Sequence, residues 1–292
     1  MKRSVYILLF LLIPFLGDAQ RWKHERLSII VSTGNSYFLG DLGGGSKDAS
    51  HYLSFRDVDW QLTRPAFQAG VRYRILQELA VKPTITYARL KADDLLSGSI
   101  GRQARNLHFR TNLWEAGAQF EYYFLKEKNI GRYTFSSFKG INRLSAYASL
   151  GGGALYYNPK AELMRGSNIW EELRPMQNEG ESYGKFAAYL SIGVGMKFNI
   201  TDRWAIGLDV SNRYTTTDFI DDAHDTYSGI DNGFADRHYT VDYEWDAIID
   251  VDPAPYPEGT ERRGDPSYND AYLFTMITGY FKISSVFSMP KY

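Results

Sequence analysis

Residues 40 to 47 read GDLGGGSK, the glycine spacing of a phosphate-binding loop, G-x-x-x-x-G-K-[ST], with its last two residues exchanged. Gly40 and Gly45 stand at the required separation, but Ser46 precedes Lys47. A phosphate cradle also needs a helix after the loop, so that free backbone N–H groups face the anion. The next residues are instead the polar run DASHYLSFRDVDW, so the sequence predicts no nucleotide site. The glycines read as the point where a first strand leaves its sheet for a loop.

A second candidate lies near the other end. From Asp221 to Asp252 there are ten acids and a single arginine, Arg237. Carboxylates at such spacing can hold calcium, and the candidate ligands are Asp221, Asp222, Asp225, Asp250 and Asp252. The order of an EF-hand is absent, because Asp231-Asn232-Gly233 lacks the following glutamate. A solvated acidic loop accounts for the same residues more simply. His224, beside those aspartates, and His238 further on could serve as acid or base in hydrolysis, although loop Asp and His commonly form turns. Tyr239, Tyr243, Trp245 and Tyr256 interleave with the acids and could bind a sugar or a protein, or fold the loop onto itself. No catalytic residue and no cofactor is assigned from these residues.

The elements that would position them alternate with period two. Eight segments are expected as strands: about 26–38, 65–76, 79–90, 109–124, 143–157, 185–199, 203–217 and 270–283. In the fourth, Trp114, Ala116, Ala118, Phe120, Tyr122 and Phe124 face one way, and Glu115, Gly117, Gln119 and Glu121 the other. The fifth is blurred by its glycines, and the eighth, AYLFTMITGYFKI, has no clear phase. Two joins are short (LQE and NITDR), and the join KEKNIGRYTFSSFKGINR is longer and net basic. The joins between them, about 40–64, 91–106, 158–184 and 218–270, are long and polar. A meander with short turns at one end and long loops at the other has that pattern.

The polar faces carry Arg72, Arg74, Lys82, Glu115, Glu121, Lys197, Asp209 and Arg213 among small residues. A soluble sandwich would put them in water. An eight-stranded barrel would pair them inside, where there is just room for side chains. Strands of 10 to 15 residues also exceed the usual soluble length of about 5 to 6, and match a tilted bilayer crossing. The expected fold is therefore all-β, an eight-stranded antiparallel up-and-down transmembrane barrel with long extracellular loops and shorter periplasmic turns. Tyr37, Phe38, Trp114, Tyr122, Phe124, Trp204 and Tyr214 would form its aromatic girdle, with Tyr123 beside them.

Bulk properties agree. The 22 tyrosines, 17 phenylalanines and 6 tryptophans suit strands and membrane interfaces. There is no cysteine, hence no disulfide framework or thiolate metal site. A formal net charge of −1 and the lack of a basic arm make nucleic acid an unexpected partner. Lys2 and Arg3, the apolar run from Val5 to Leu16 and then GDAQ read as a signal peptide, residues 1–19, cut near Ala19-Gln20. Residues 20–292 would then be one outer-membrane barrel domain, in contact with membrane lipid and lipopolysaccharide.

Three stretches carry a family resemblance: YFLGDL (Tyr37 to Leu42), NITDRWAIGLDVSNRYTTTDFIDD (Asn199 to Asp222) and RRGDPSYNDAYLFTMITGYFKI (Arg262 to Ile283). Together they resemble the Bacteroidota outer-membrane β-barrel family that includes PorG, a component of the type IX secretion system. The resemblance implies a barrel with both termini in the periplasm and, for PorG, contact with the periplasmic PorK–PorN ring lipoproteins. The chain departs from it in a long last loop and in the tail SSVFSMPKY. Three readings stay open: a non-enzymatic structural or docking subunit, a barrel whose loop 219–270 engages an extracellular ligand, protein or calcium, and a loop-based hydrolase.

Overall fold

The computed structural model describes residues 26–43, 60–97, 106–126, 143–162, 165–201, 203–226 and 263–283. The expected signal peptide, the stretch Gly44 to Lys47, most of the basic join after the fourth strand, and Asp250 and Asp252 lie outside them. In chain order the strands are β1 (Leu27–Leu39), β2 (Arg64–Arg74), β3 (Leu79–Asp93), β4 (His108–Leu125), β5 (Leu144–Tyr156), β6 (Pro159–Glu162), β7 (Trp170–Glu172), β8 (Phe186–Asn199), β9 (Trp204–Thr215) and β10 (Ala271–Ile283). All but β6 and β7 close a barrel of eight strands. Every neighbouring pair is antiparallel, and β1 meets β10 from Leu27↔Ile283 to Leu39↔Ala271. Closure gives each barrel strand two partners, which lets the sheet dispense with water. Among the described residues no helix is long and apolar enough to cross a membrane; the strands make the crossing.

The short strands β6 and β7 form a hairpin between β5 and β8. It extends the sheet beyond the barrel through Arg110↔Lys160 on β4. A plain loop is expected there from sequence, because strands of three or four residues are too short to display a period.

Side chains alternate between lumen and exterior, and the exterior is apolar. Val31, Phe67, Ile85, Phe120, Leu150, Ile192, Val194, Leu208 and Ile277 are all exposed there. A soluble protein has no use for such a continuous apolar circumference, whereas a lipid bilayer requires one. Register adds an aromatic row toward the long-loop end. Phe67↔Tyr87, Tyr87↔Trp114, Trp114↔Tyr156 and Tyr156↔Phe186 are consecutive partners across five neighbouring strands. Toward the short-turn end Tyr73, Tyr122, Phe124 and Trp204 face outward, Trp204 packing on Phe281 with ring centroids 4.8 Å apart. From Trp114 to Phe124 is about 33 Å along a strand, or about 25 Å along the axis at a tilt of ~40°. That is the height of an outer-membrane apolar band.

One prediction separates lipid from water on this face. Val194, 58% exposed, lies mid-strand between Ala148 of β5 and Val210 of β9. Val194→Arg should destabilise the bilayer-folded protein by about 2–4 kcal/mol, read as a lowered denaturant midpoint in vesicles. A change within about 0.5 kcal/mol, as on a solvated surface, would mean that this face is not in lipid.

Candidate functional site

The lumen is the first place a barrel could do chemistry, and here it is filled. On β4 the Glu121 carboxylate accepts from Arg72 Nε at 2.7 Å and from the Tyr123 hydroxyl at 2.8 Å, with Lys82 Nζ 3.2 Å from its other oxygen. Lys82 reaches on to Asp209 Oδ1 at 3.4 Å. Tyr147 donates to Asp209 Oδ2 at 2.6 Å, and its oxygen lies 3.2 Å from that of Tyr280. Lys197 sits over the rings of Tyr123 and Tyr280. The chain of contacts thus runs through β2, β3, β4, β5, β8, β9 and β10, and ties opposite walls of the barrel together.

A second group lies nearer the long loops. Glu115 accepts from the Tyr272 hydroxyl and faces Arg213 Nε at 3.6 Å. Arg213 donates from Nη1 to Ser191 Oγ at 2.7 Å, and Gln119 donates to the same oxygen at 2.6 Å. Space for these long side chains comes from glycine. A Cβ on Gly195 would stand 2.4 Å from the Tyr147 ring. Gly195→Val should therefore push Tyr147 off Asp209 and cost about 1–3 kcal/mol, measurable as a lower unfolding midpoint. Wild-type stability in that variant would mean that the lumen has slack.

Above the ionic layers the lumen turns apolar. Phe38, Leu90, Phe109, Leu113, Leu155 and Tyr157 pack with loop residues Leu42, Leu107, Ile220 and Ala223 into one buried cluster. Phe38 meets Phe109 edge-on at 4.8 Å. The cluster fills this end of the barrel among the described residues.

Over this cluster lies a cap in which carboxylates latch one loop to the next. Asp94, after β3, accepts from Gly43 N at 3.0 Å, and Asp221, after β9, from Leu42 N at 3.3 Å. Asp41, after β1, accepts from Asp265 N at 2.6 Å, and Asp270 from Ile220 N at 2.8 Å. Glu179, before β8, accepts from the backbone of both His224 and Asp225. Arg263 lies 3.2 Å from Glu179 and 3.2 Å from Asp222, which also accepts from Asn178 and Tyr183. Burial, then Asp221, Asp41, Glu179 and Asp265, push the Asp218 carboxyl up to about 10. Burial and Asp218 raise Asp270 well above the usual carboxylate range, and burial raises Glu179.

Arg72, Arg74, Lys82, Glu115, Glu121, Lys197, Asp209 and Arg213 are all buried at lumen-facing positions. Of the girdle, Trp114, Tyr122, Phe124 and Trp204 are exposed on the exterior, and Tyr214 is half-buried. Phe38 is a correction: it shares a face with Ser28, Ile30 and Ser36, and is 8% exposed inside the apolar cluster. Tyr37 is also buried, packed against Leu39, Val210 and Leu273. Tyr123 is the second clear correction, since it shares the parity of Glu115 and Glu121 and binds the latter.

The described calcium candidates do not converge. Asp221 and Asp222 are spent on the latches above, and among the described residues no three acids or histidines are grouped to hold a metal. His224 Nδ1 does lie 2.8 Å from Asp218 Oδ2, the contact an acid–base dyad needs. Its ring packs on Phe219, however, and no described hydroxyl bonds to it. Sequence reasoning missed the luminal tyrosines Tyr147, Tyr272 and Tyr280. Parity could have found Tyr147, which shares a face with Ser145 and Ser149, whereas on β10 Tyr272 and Tyr280 share theirs with Phe274 and Met276, so polarity does not mark the lumen there.

Three solved structures are similar to this chain. Neisserial surface protein A is 10% identical, over 88% of this chain and 97% of that one, with a TM-score of 0.41. The outer membrane protein OprG from Pseudomonas aeruginosa is 10% identical, over 88% and 96%, with a TM-score of 0.38. Ail, the attachment invasion locus protein of Yersinia pestis, is 12% identical, over 88% and 98%, with a TM-score of 0.33. Superpositions this loose carry nothing about activity. No curated protein matches the sequence. Residues 2–236 match DUF6089, described as a domain of unknown function, and the chain belongs to that family.

Proposed function

We propose that this protein is a non-enzymatic outer-membrane barrel that serves as a structural or docking subunit, with its short turns and both termini in the periplasm. The observation that carries this reading is the lumen filled by buried ionic and apolar side chains. Ionic layers, an apolar cluster and latched loops occupy the barrel interior among the described residues, which favours action through its faces over passage of a solute. Its belt is solvated by membrane lipid, with lipopolysaccharide around the long loops. The resemblance to the PorG-containing family suggests where such a subunit would work, on the periplasmic ring lipoproteins of type IX secretion. Deletion of the gene should then block export of type IX cargo, and the tagged barrel should bring down the ring lipoproteins from solubilised outer membranes. Normal export in the deletion strain, with no ring lipoprotein in the eluate, would remove the secretion role.

A second reading is favoured by one observation, the surplus of carboxylates over cations among the described residues of the cap. An acidic outer face suits a binding barrel for an extracellular protein or cation. Removing residues 227–262 distinguishes the two, since a docking subunit keeps secretion and a binding barrel loses its ligand. The hydrolase reading has only the Asp218–His224 contact behind it.

A further inference from the structure

The short-turn end of the barrel carries a ring of cations. Seven of the eight barrel strands carry lysine or arginine within two residues of that end. Arg74, Lys197 and Lys282 close β2, β8 and β10 with their side chains buried on the lumen side. Arg143 and Arg203 precede β5 and β9 in the parity of lumen-facing Ser145 and Ala205, and both are exposed. Arg26 and Lys126 complete the ring at β1 and β4, Arg26 donating to the Tyr73 hydroxyl and Lys126 pairing with Glu78. Glu78 is the single acid among the described residues at these strand ends. Among the described residues the Arg143 guanidinium meets the Ile200 carbonyl, at 3.3 Å, and no carboxylate meets Arg203.

We propose that this ring is a docking site for an acidic segment of a soluble protein, seated over the barrel axis at the short-turn mouth. Parity decides between protein and lipid. Headgroups surround the perimeter and meet outward side chains such as Tyr122, Phe124 and Trp204. Arg74, Arg143, Lys197, Arg203 and Lys282 instead stand on the axis side, where the low-dielectric wall focuses their field onto the mouth. A run of carboxylates matches several cations held at fixed spacing, and such complementarity sets encounter rate and specificity. The inference deepens the docking reading by naming the partner's chemistry, and rests on that reading for a partner to exist.

The test uses the purified full-length barrel in zwitterionic nanodiscs, with labelled octaglutamate and octaglutamine peptides followed by fluorescence anisotropy. Octaglutamate should bind, weaken as salt rises, and lose about tenfold in affinity in the combined variant Arg143→Glu, Arg203→Glu. Both positions are exposed, and retained heat-modifiable migration on gels checks the fold of the variant. Equal binding of the two peptides, or no effect of the variant, would overturn the proposal. So would a variant that loses binding to anionic-lipid vesicles but not to octaglutamate. Octaglutamate binding without co-purified ring lipoproteins would leave the basic dock standing and remove the secretion reading alone.

Discussion

Glu121→Gln should cost about 3–5 kcal/mol and leave much of the protein unable to hold its barrel in denaturant. Glutamine keeps the volume, so what changes is charge. Glu121 is 0% exposed and is shared by Arg72 and Lys82, both almost fully buried. Without it the acid left beside them among the described residues is Asp209, 3.4 Å from Lys82. Burying a charge without a partner is far costlier than burying a neutral group, and the barrel wall has lipid behind it. The Tyr123 hydroxyl would also exchange a charged acceptor for a neutral one.

The same physics predicts a rescue. Replacing a buried ion pair by uncharged groups of similar size is often neutral, so Arg72→Met added to Glu121→Gln, which leaves Lys82 paired with Asp209, should recover at least half of the loss. Asp209 keeps the Tyr147 hydroxyl in that double variant. Urea unfolding in vesicles, or the shift of folded and unfolded bands on unheated gels, reads both outcomes. Wild-type stability of Glu121→Gln would mean that the lumen is wet enough to screen its charges. An additive double variant, more damaged than the single, would mean that packing and not charge holds these layers together.

The share of this fold that is legible in sequence is set by what a period of two can carry. In β4 a bulky apolar residue stands at every even position from Trp114 to Phe124 apart from two alanines, and Glu115, Gln119 and Glu121 stand between them. That pattern locates the strand and its two faces without any partner strand. It fails where both faces are apolar. In β10 the lumen takes Tyr272, Phe274, Met276 and Tyr280 while the lipid takes Ile277, so the alternation of polarity is missing even though the alternation of direction is not. Phe38 escapes the pattern for the same reason, being an aromatic at a strand end that packs inside the barrel. The aromatic row from Phe67 to Phe186 depends on register between five strands, which no single strand encodes. The cap is least legible. Asp41, Glu179 and Asp221 lie in three separate loops, and their partners are backbone N–H groups, which every residue but proline offers alike.

Asp218→Asn should stabilise the cap at neutral and alkaline pH, against the usual expectation for losing a buried group with a partner 2.8 Å away. The folded carboxyl is held up to about 10, while an unfolded aspartate titrates near ~3.9. Between those values the folded state keeps a proton that the unfolded state has lost. Its contribution to stability is therefore fully present below the unfolded value, and is lost as pH rises through the folded one. The groups facing it account for the sign: Asp41 from the loop after β1, Glu179 from before β8, Asp265 and Asp270 from before β10, and Asp221 on its own loop, with His224 in contact. Asparagine stays neutral at every pH and can still hydrogen-bond the imidazole, so it removes the cost of keeping the proton. Opening of residues 218–225, followed by hydrogen exchange, should accelerate from pH 6 to pH 9 in the wild type. In the variant it should be about tenfold slower at pH 8, a difference of about 1.4 kcal/mol, and nearly flat with pH after correction for intrinsic exchange. An opening profile that rises with pH as steeply in Asp218→Asn as in the wild type would place the titrating group elsewhere in the cap, with Asp270 next in line because it is buried beside the same acids.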